Sequence, residues 1–309
     1  MPRKRSAAPK QGTGIVENPR SARLDTFPPE DVIKLFLAEE AQAIKTVQAM
    51  ARPLTELSTI VAQRLEKSAR LVYVGEGTVG RMASFEAAEC GPLFGLPPSL
   101  ISSVIAGGPY ALSRPILSGP LAHREAEQRL RKLAIGPGDI VFIVADEPLS
   151  PFLRAAMEYA RFRQTKVIVL TTAAPANDGR ALADHLLEID VGPEILAEAT
   201  RHKAATAIKI ALSTLSSAAL IQLGKAYGGL MVDARPTTPR SWHKAVTLVG
   251  QLCGLDGESA MNLIKKAGGR AKIAIVMHHA RVGAAQAKQL LVQHRGSLRA
   301  VVGDLDFAG

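Results

Sequence analysis

Residues 72–90 read VYVGEGTVGRMASFEAAEC. An apolar run ends in Gly75, Gly77 and Gly80, and the residues after the glycines repeat apolar side chains at helical spacing, so the stretch predicts strand, glycine loop and helix. A Gly-x-Gly-x-x-Gly loop in that setting suits a dinucleotide or a phosphate. A nicotinamide site also needs an acid about 20 residues further on to hold a ribose hydroxyl. No Asp or Glu lies between Glu89 and Glu125, so a dinucleotide is not expected. Two readings remain. Loop amides, the Thr78 hydroxyl and the positive end of the helix would hold a sugar phosphate, or the glycines only let strand and helix pack closely. Glu76 complicates the first reading, because it places an anion where a phosphate would sit.

Outward from this loop, the runs at 70–75, 99–107, 139–145, 166–172 and 185–190 read as strands, alternating with helical stretches at 80–94, 121–133 and 151–163. Strand runs that are apolar on both faces and alternate with helices predict a parallel sheet covered on both sides, an α/β fold. Two helices precede it, over 28–51 and after Pro53, and a long helical pattern follows over 200–227. Beyond Pro239 three shorter helical segments are readable: SWHKAVTLVGQLC, DGESAMNLIKKAG and VGAAQAKQLLVQH. The expected organisation is a basic, disordered tail over 1–25, an α/β domain over 26–238 and a helical subdomain over 239–309.

With 309 residues, 47% of them hydrophobic, the chain can bury a large core. Its longest apolar runs are far shorter than the ~20 residues of a membrane span, and no apolar stretch follows the basic start, so a cytoplasmic protein without membrane contact is expected. Of the net charge of +10 the first twenty residues carry +4 and the other +6 is dispersed, and 4% aromatic content offers few platforms for stacking bases, so nucleic acid is not an expected partner. Cys90 and Cys253 stand far apart and suggest neither a disulfide framework nor a zinc site.

The blocks IVENPRSARLDTFPPEDV, RLVYVGEGTVGRMASFEAAECGPLFG, IAGG, VGPEILAEATRHKAATAIKIALSTLSS and GKAYGGLMVDARPTT resemble, in order and spacing, those of the N-acetylmuramic acid 6-phosphate etherases. The similarity spans about residues 15 to 300. It implies a SIS (sugar isomerase) fold, a three-layer α/β/α sandwich with a helical C-terminal region, and a homodimer whose subunits share the sites for a small sugar ligand. It also implies kinship with the glucokinase regulatory proteins, which sense phosphosugars. The family's reaction eliminates D-lactate and adds water to give N-acetylglucosamine 6-phosphate, which requires a base at C2 and an acid at the ether oxygen. Two carboxylates supply both without metal or cofactor, so the resemblance implies no cofactor.

The resemblance places one catalytic glutamate on Glu89, with Glu86 three residues earlier, where the family has aspartate, as a weaker candidate on the same helix face. The second catalytic glutamate falls on Pro120, which transfers no proton; Glu125 and Glu127 are the next carboxylates downstream. Among expected ligand-binding residues Gly75, Gly77, Thr78, Gly80 and Arg81 match the first loop, and Glu194, Arg201 and Lys203 match a later block, as does Asp233. In the second loop the family's Ser-Gly-Arg-Thr is replaced by Glu147-Pro148-Leu149-Ser150, leaving Ser150 as the ligand-binding candidate and adding acids beside Asp146. Like charges ~4 Å apart repel by about 4 kcal/mol at an effective dielectric of 20, so these carboxylates oppose a dianionic phosphate. Arg201 and Lys203 would pair with the new acids. Three functions follow: an etherase using Glu89 and a relocated carboxylate, a catalytically silent sugar sensor, or a divalent-cation site built from Glu76, Glu89, Asp146, Glu147 and Glu194. The block-by-block match favours the sugar readings, and no metal is expected.

Overall fold

Short runs of branched and aromatic residues pair into one parallel sheet in the computed structural model, which describes residues 16–305 except 117, 118, 120, 147, 174–176, 198, 200 and 201, with only the backbone given for 177 and 178. The strands are β1 (Leu71–Gly75), β2 (Ile101–Ile105), β3 (Ile140–Ala145), β4 (Lys166–Thr171) and β5 (His185–Glu188), in the order β2-β1-β3-β4-β5. Alternate residues feed two cores. Leu71, Tyr73, Ile140 and Phe142 pack under α1 (Pro29–Ala49), α2 (Ala51–Glu66), α3 (Gly77–Phe94) and α7 (Lys203–Gln222). Val72, Val74, Val141 and Ile143 pack on the other face, under α4 (Ala122–Lys132) and α5 (Pro151–Phe162). Both faces are covered, which is why β1 and β3 are apolar at every position. A short α6 (Asn177–Leu182) precedes β5. Helix α7 is 20 residues long and apolar enough to cross a membrane, but it packs against α1, α2 and α3 as a core helix.

The run at 99–107 is a strand only over Ile101–Ile105, because Gly107 and Gly108 turn the chain at φ +78° and +66°, a region glycine enters without a Cβ clash. Residues 19–21, inside the predicted tail, and 24–26, across its end, form 3-10 turns, and Asn18 beside them is 4% exposed.

The residues from Tyr227 onward build a third core of their own. A two-strand ribbon, β6 (Ala226–Tyr227) and β7 (Leu230–Met231), leads into α8 (Pro239–Cys253), α9 (Gly257–Lys266), α10 (Ala271–Ala280), α11 (Ala284–Gln293) and α12 (Leu298–Val302). Five helices stand where the sequence pattern showed three. The reason is plain for α10: Ala271 to Val276 are all buried, Lys272 among them, so no solvent-facing polar stripe sets a helical period.

This subdomain is tied to the α/β domain by a buried ionic hub. Asp233, 5% exposed, accepts from Lys225 Nζ at 2.6 Å and Arg270 Nη2 at 2.9 Å, and Lys272 Nζ lies 3.9 Å away. Lys272 also donates to the Gly224 carbonyl at 2.7 Å, and a Cβ on Gly95 would lie 1.9 Å from the Asp233 carbonyl oxygen. The end of α7 and the start of α10 therefore meet on the Asp233 carboxylate, and the end of α3 packs against the backbone of the same residue.

Candidate functional site

Strand β1 leads outward to β2 on one side while β3 continues towards β4 on the other, so the strand order reverses between β1 and β3. In open parallel sheets a ligand crevice forms outside the carboxyl ends of the strands at such a point. The β1–α3 and β3–α5 loops flank it here.

In the first loop the glycines have separate tasks. A Cβ on Gly75 would lie 2.6 Å from Gly80 Cα, and one on Gly80 would lie 2.6 Å from the Gly75 carbonyl carbon, so this pair sets the close approach of strand and helix. Gly77 has φ +58° and open space around it. Gly80→Ala is therefore expected to cost about 3 kcal/mol by forcing the two elements apart, against roughly 1 kcal/mol of backbone strain for Gly77→Ala; urea unfolding of the two variants measures the difference. Thr78 is half-buried at the start of α3, and the N-cap Glu76 makes no capping bond through its side chain. Arg81 donates to the Ala111 carbonyl at 2.8 Å and the Arg114 carbonyl at 3.1 Å, bracing the segment after β2.

At the neighbouring strand ends the protein's own groups occupy the backbone donors. After β2, the Gly107 N–H donates to Glu125 Oε1 at 3.0 Å, and Arg129 pairs with the same oxygen at 2.8 Å. After β3, Ser150 is the N-cap of α5, its hydroxyl accepting from the Leu153 N–H at 3.2 Å, while Pro151 has no N–H. At the start of α7, the buried Glu194 accepts the N–H groups of Lys203 at 3.1 Å and Ala204 at 2.9 Å.

Lys203 does not meet the acids of the glycine loops. Its ammonium, 4% exposed, binds Glu39 Oε2 at 2.7 Å. Asn18 Nδ2 donates to the same oxygen at 2.9 Å, and Arg20 Nη1 donates to Oε1 at 2.7 Å. Burial alone would push the Glu39 carboxyl up, but the bond and charge of Lys203, with help from Asn18 and Arg20, hold it below the ordinary range. Beside this cluster His202 packs on Phe36 with ring centroids 5.0 Å apart and lies 3.9 Å from Glu40. Arg201, expected to pair in the same way as Lys203, lies outside the described residues.

The two glutamates of α3 part company. Glu86 is buried and faces α7, where Ser216 donates to its Oε1 and the Cys90 thiol lies 3.4 Å from the same oxygen. Burial, with Glu86 beside it, pushes the Cys90 thiol up to about 12. Burial also raises the Tyr73 hydroxyl, which finds no hydrogen-bond partner there. Glu89 is exposed, beside Phe85 at 56% exposure. The shared face expected of Glu86 and Glu89 is therefore not found, because the 60° between positions i and i+3 straddles the rim between the buried and exposed sides of α3. Twelve residues at 1.5 Å each place Glu89 about 18 Å along α3 from Gly77. One chain thus keeps Glu89 apart from its own strand-end crevice. A hollow of about 680 Å³ runs beside this part of α3, past Ser84, Ala88 and Gly91 to Arg235 and Thr237. Among the described residues no group of three or more His, Cys, Asp or Glu side chains could hold a metal ion, and Glu194, one member of the cation reading, caps α7 instead.

Comparison with known proteins gives this geometry its setting. No family model matches the chain. It is 37% identical over 290 residues to the N-acetylmuramic acid 6-phosphate etherase of Rubrobacter xylanophilus, covering 93% of this chain and 94% of that one. The chain belongs to the N-acetylmuramic acid 6-phosphate etherase family. The etherases of Rhodopirellula baltica, 34% identical over 289 residues, and Deinococcus radiodurans, 36% over 295, cover 93% and 94% of this etherase-family chain and 95% of their own lengths. A phosphoheptose isomerase from Neisseria gonorrhoeae superposes on 62% of the chain at a TM-score of 0.45 and 16% identity, too loosely to carry an argument. The architecture is the parallel sheet between two helical layers, the α/β/α sandwich that the sequence blocks implied.

Sequence reasoning overlooked Glu39 and the cations around Asp233. The signal for Glu39 was present: Leu35, Glu39, Ala43 and Val47 form one buried stripe of α1, and an acid on such a stripe needs a buried partner. Pro120, the position of the second catalytic glutamate, lies outside the described residues, as does Glu147.

Proposed function

We propose that this etherase-family chain binds an amino-sugar derivative in the crevice between the β1–α3 and β3–α5 loops, and that a second copy of the chain completes the site. The observation that carries the reading is the match along nearly the whole length of curated etherases. The spacing within α3 supports the second copy: Glu89 is exposed yet about 18 Å from the glycine loop of its own chain, so it reaches a bound ligand only across a homodimer interface. Thr78 and the amides at the start of α3 are the proposed ligand contacts, and we place the protein in the cytoplasm.

In the elimination reading Glu89 would move one proton, between C2 and water or at the ether oxygen, and a second group would be needed for the other. A specific observation favours a catalytically silent sugar binder. Glu86 is committed to Ser216, and Glu125 to Gly107 and Arg129, so neither relocated carboxylate faces an open crevice. Incubation with N-acetylmuramic acid 6-phosphate, coupled to D-lactate detection, separates the two. Lactate released by the wild type and lost in Glu89→Ala establishes the lyase. No lactate, together with ligand-dependent stabilisation, is the outcome expected of the silent binder.

A further inference from the structure

The chain turns from α5 into β4 between Phe162 and Lys166. Gln164 takes φ +56°, and the Thr165 N–H and hydroxyl both donate to the Ala160 carbonyl, at 3.0 and 2.9 Å. This turn sets Arg161, in the last turn of α5, beside Lys166, the first residue of β4, and the last turn of α2 brings Arg64 to the same place. The three line a cavity of about 310 Å³ together with Gln164, Thr165 and Asp184. It lies at the amino ends of the strands, whereas the crevice lies outside their carboxyl ends. The length of β4, Lys166–Thr171 at ~3.3 Å per residue, separates the two by about 20 Å.

The charges around this cavity do not cancel. Asp184 is the one acid among the described residues that line it, and it already accepts from Arg161 Nη1 at 2.8 Å and from the Val167 N–H at 2.7 Å. Arg64 donates through Nη1 to the carbonyls of Pro137 at 3.0 Å and Gly138 at 2.8 Å, which fixes its guanidinium without neutralising it. Arg64 and Arg161 also offset the negative carbonyl ends of α2 and α5. Lys166 stands half-buried on a strand, where it offsets no helix end, and the acid that shares its cavity is bonded to Arg161. Its charge reaches the next strand: burial first, and then Lys166, hold the His185 imidazole below its usual range, against the opposing pull of Asp184 and Glu56.

From this arrangement we infer that the cavity is a second binding site, for a small dianion of the phosphate monoester or dicarboxylate class, anchored by Arg64, Arg161 and Lys166. Three cations against one acid leave an excess of two positive charges, which a dianion balances. Two guanidinium groups already fixed by acceptors of the protein present their other N–H groups with little further loss of side-chain freedom, and such forked donors match the oxygens of a phosphate or a carboxylate. A neutral sugar would leave the charges as they are. The site is separate from the crevice and does not depend on what the crevice binds.

Calorimetric titration of the full chain with inorganic phosphate and with malonate, at fixed ionic strength, tests this. Saturable binding of at least one of them is expected, weakened about tenfold or more in Lys166→Met, as loss of one nearby opposite charge requires, and retained in Lys166→Arg. Arg161→Gln, on a separate element, is an independent second variant with the same expected loss, while Asp184→Asn removes the competing acid and is expected to tighten the binding. A response to phosphate alone that depends on Lys166 assigns the site to a phosphate monoester, and one to malonate alone assigns it to a dicarboxylate; either supports the inference. Anion binding that is unchanged in both Lys166→Met and Arg161→Gln belongs elsewhere on the protein and overturns it, as does the absence of saturable binding of both anions.

Discussion

Asp233→Asn is expected to lower the stability of the protein by about 3–5 kcal/mol and its melting temperature by roughly 10 °C. The loss arises less from the missing bonds than from what remains. Lys272 is 4% exposed, and burial already pushes its ammonium down to about 8, with the charge of Asp233 opposing that shift. Without the carboxylate, nothing offsets the burial of Lys272 beside Lys225 and Arg270, so its ammonium is pushed down further and folding has to bear the cost of stripping its proton. The pH dependence has a definite sign. Burial would raise the Asp233 carboxyl, but the charge of Lys272 and the charge and bond of Lys225 hold it below 3.8. Its contribution is complete above 3.8 and is lost as pH falls through the depressed folded value. Lys272 behaves in the other direction. Its folded value of about 8 lies below the ordinary 10.5, so the unfolded chain binds more protons between them and the share due to Lys272 grows as pH rises through that window. Calorimetric unfolding of wild type and variant at acid, neutral and alkaline pH reads both effects.

Glu39→Ala is expected to cost a similar 3–5 kcal/mol, because it strands the buried ammonium of Lys203. It also releases Asn18 and Arg20, so the segment around residues 16–27 is expected to become sensitive to protease while the sheet stays folded. Lys203→Met combined with Glu39→Ala is expected to cost less than the two changes summed, since the double variant leaves no unpaired buried charge. Additivity would mean that the two side chains do not depend on each other. The carboxyl of Glu39 is also held below its usual range, so its contribution fades as pH falls through that lowered value.

The sheet was legible because a parallel strand covered on both faces is apolar at consecutive positions, and β1 and β3 show that directly. Helix α10 was not, since a helix buried all round has no polar face to set its period. Ser150 could have been read as an N-cap, because Ser-Pro before an apolar run is a helix start, and that is the bond the structure shows. The split between Glu86 and Glu89 depends on where the rim of α3 falls against α7, which no local pattern records. The donors taken by Glu125 and Glu194 were equally invisible, for those bonds join residues 9 to 18 positions apart through turns whose course is set by the sheet. The acids Glu76 and Asp146 were legible in the sequence, and the fold sets them just beyond the ends of β1 and β3.

The central claim, an amino-sugar site at the crevice between β1 and β3, is tested most directly by calorimetric titration of the full chain with N-acetylmuramic acid and N-acetylglucosamine, each free and as its 6-phosphate, with Thr78→Val alongside. The account predicts saturable binding of at least one of them at about one ligand per chain, weakened in the Thr78 variant without loss of the fold. No saturable heat from either sugar or from its 6-phosphate would contradict it.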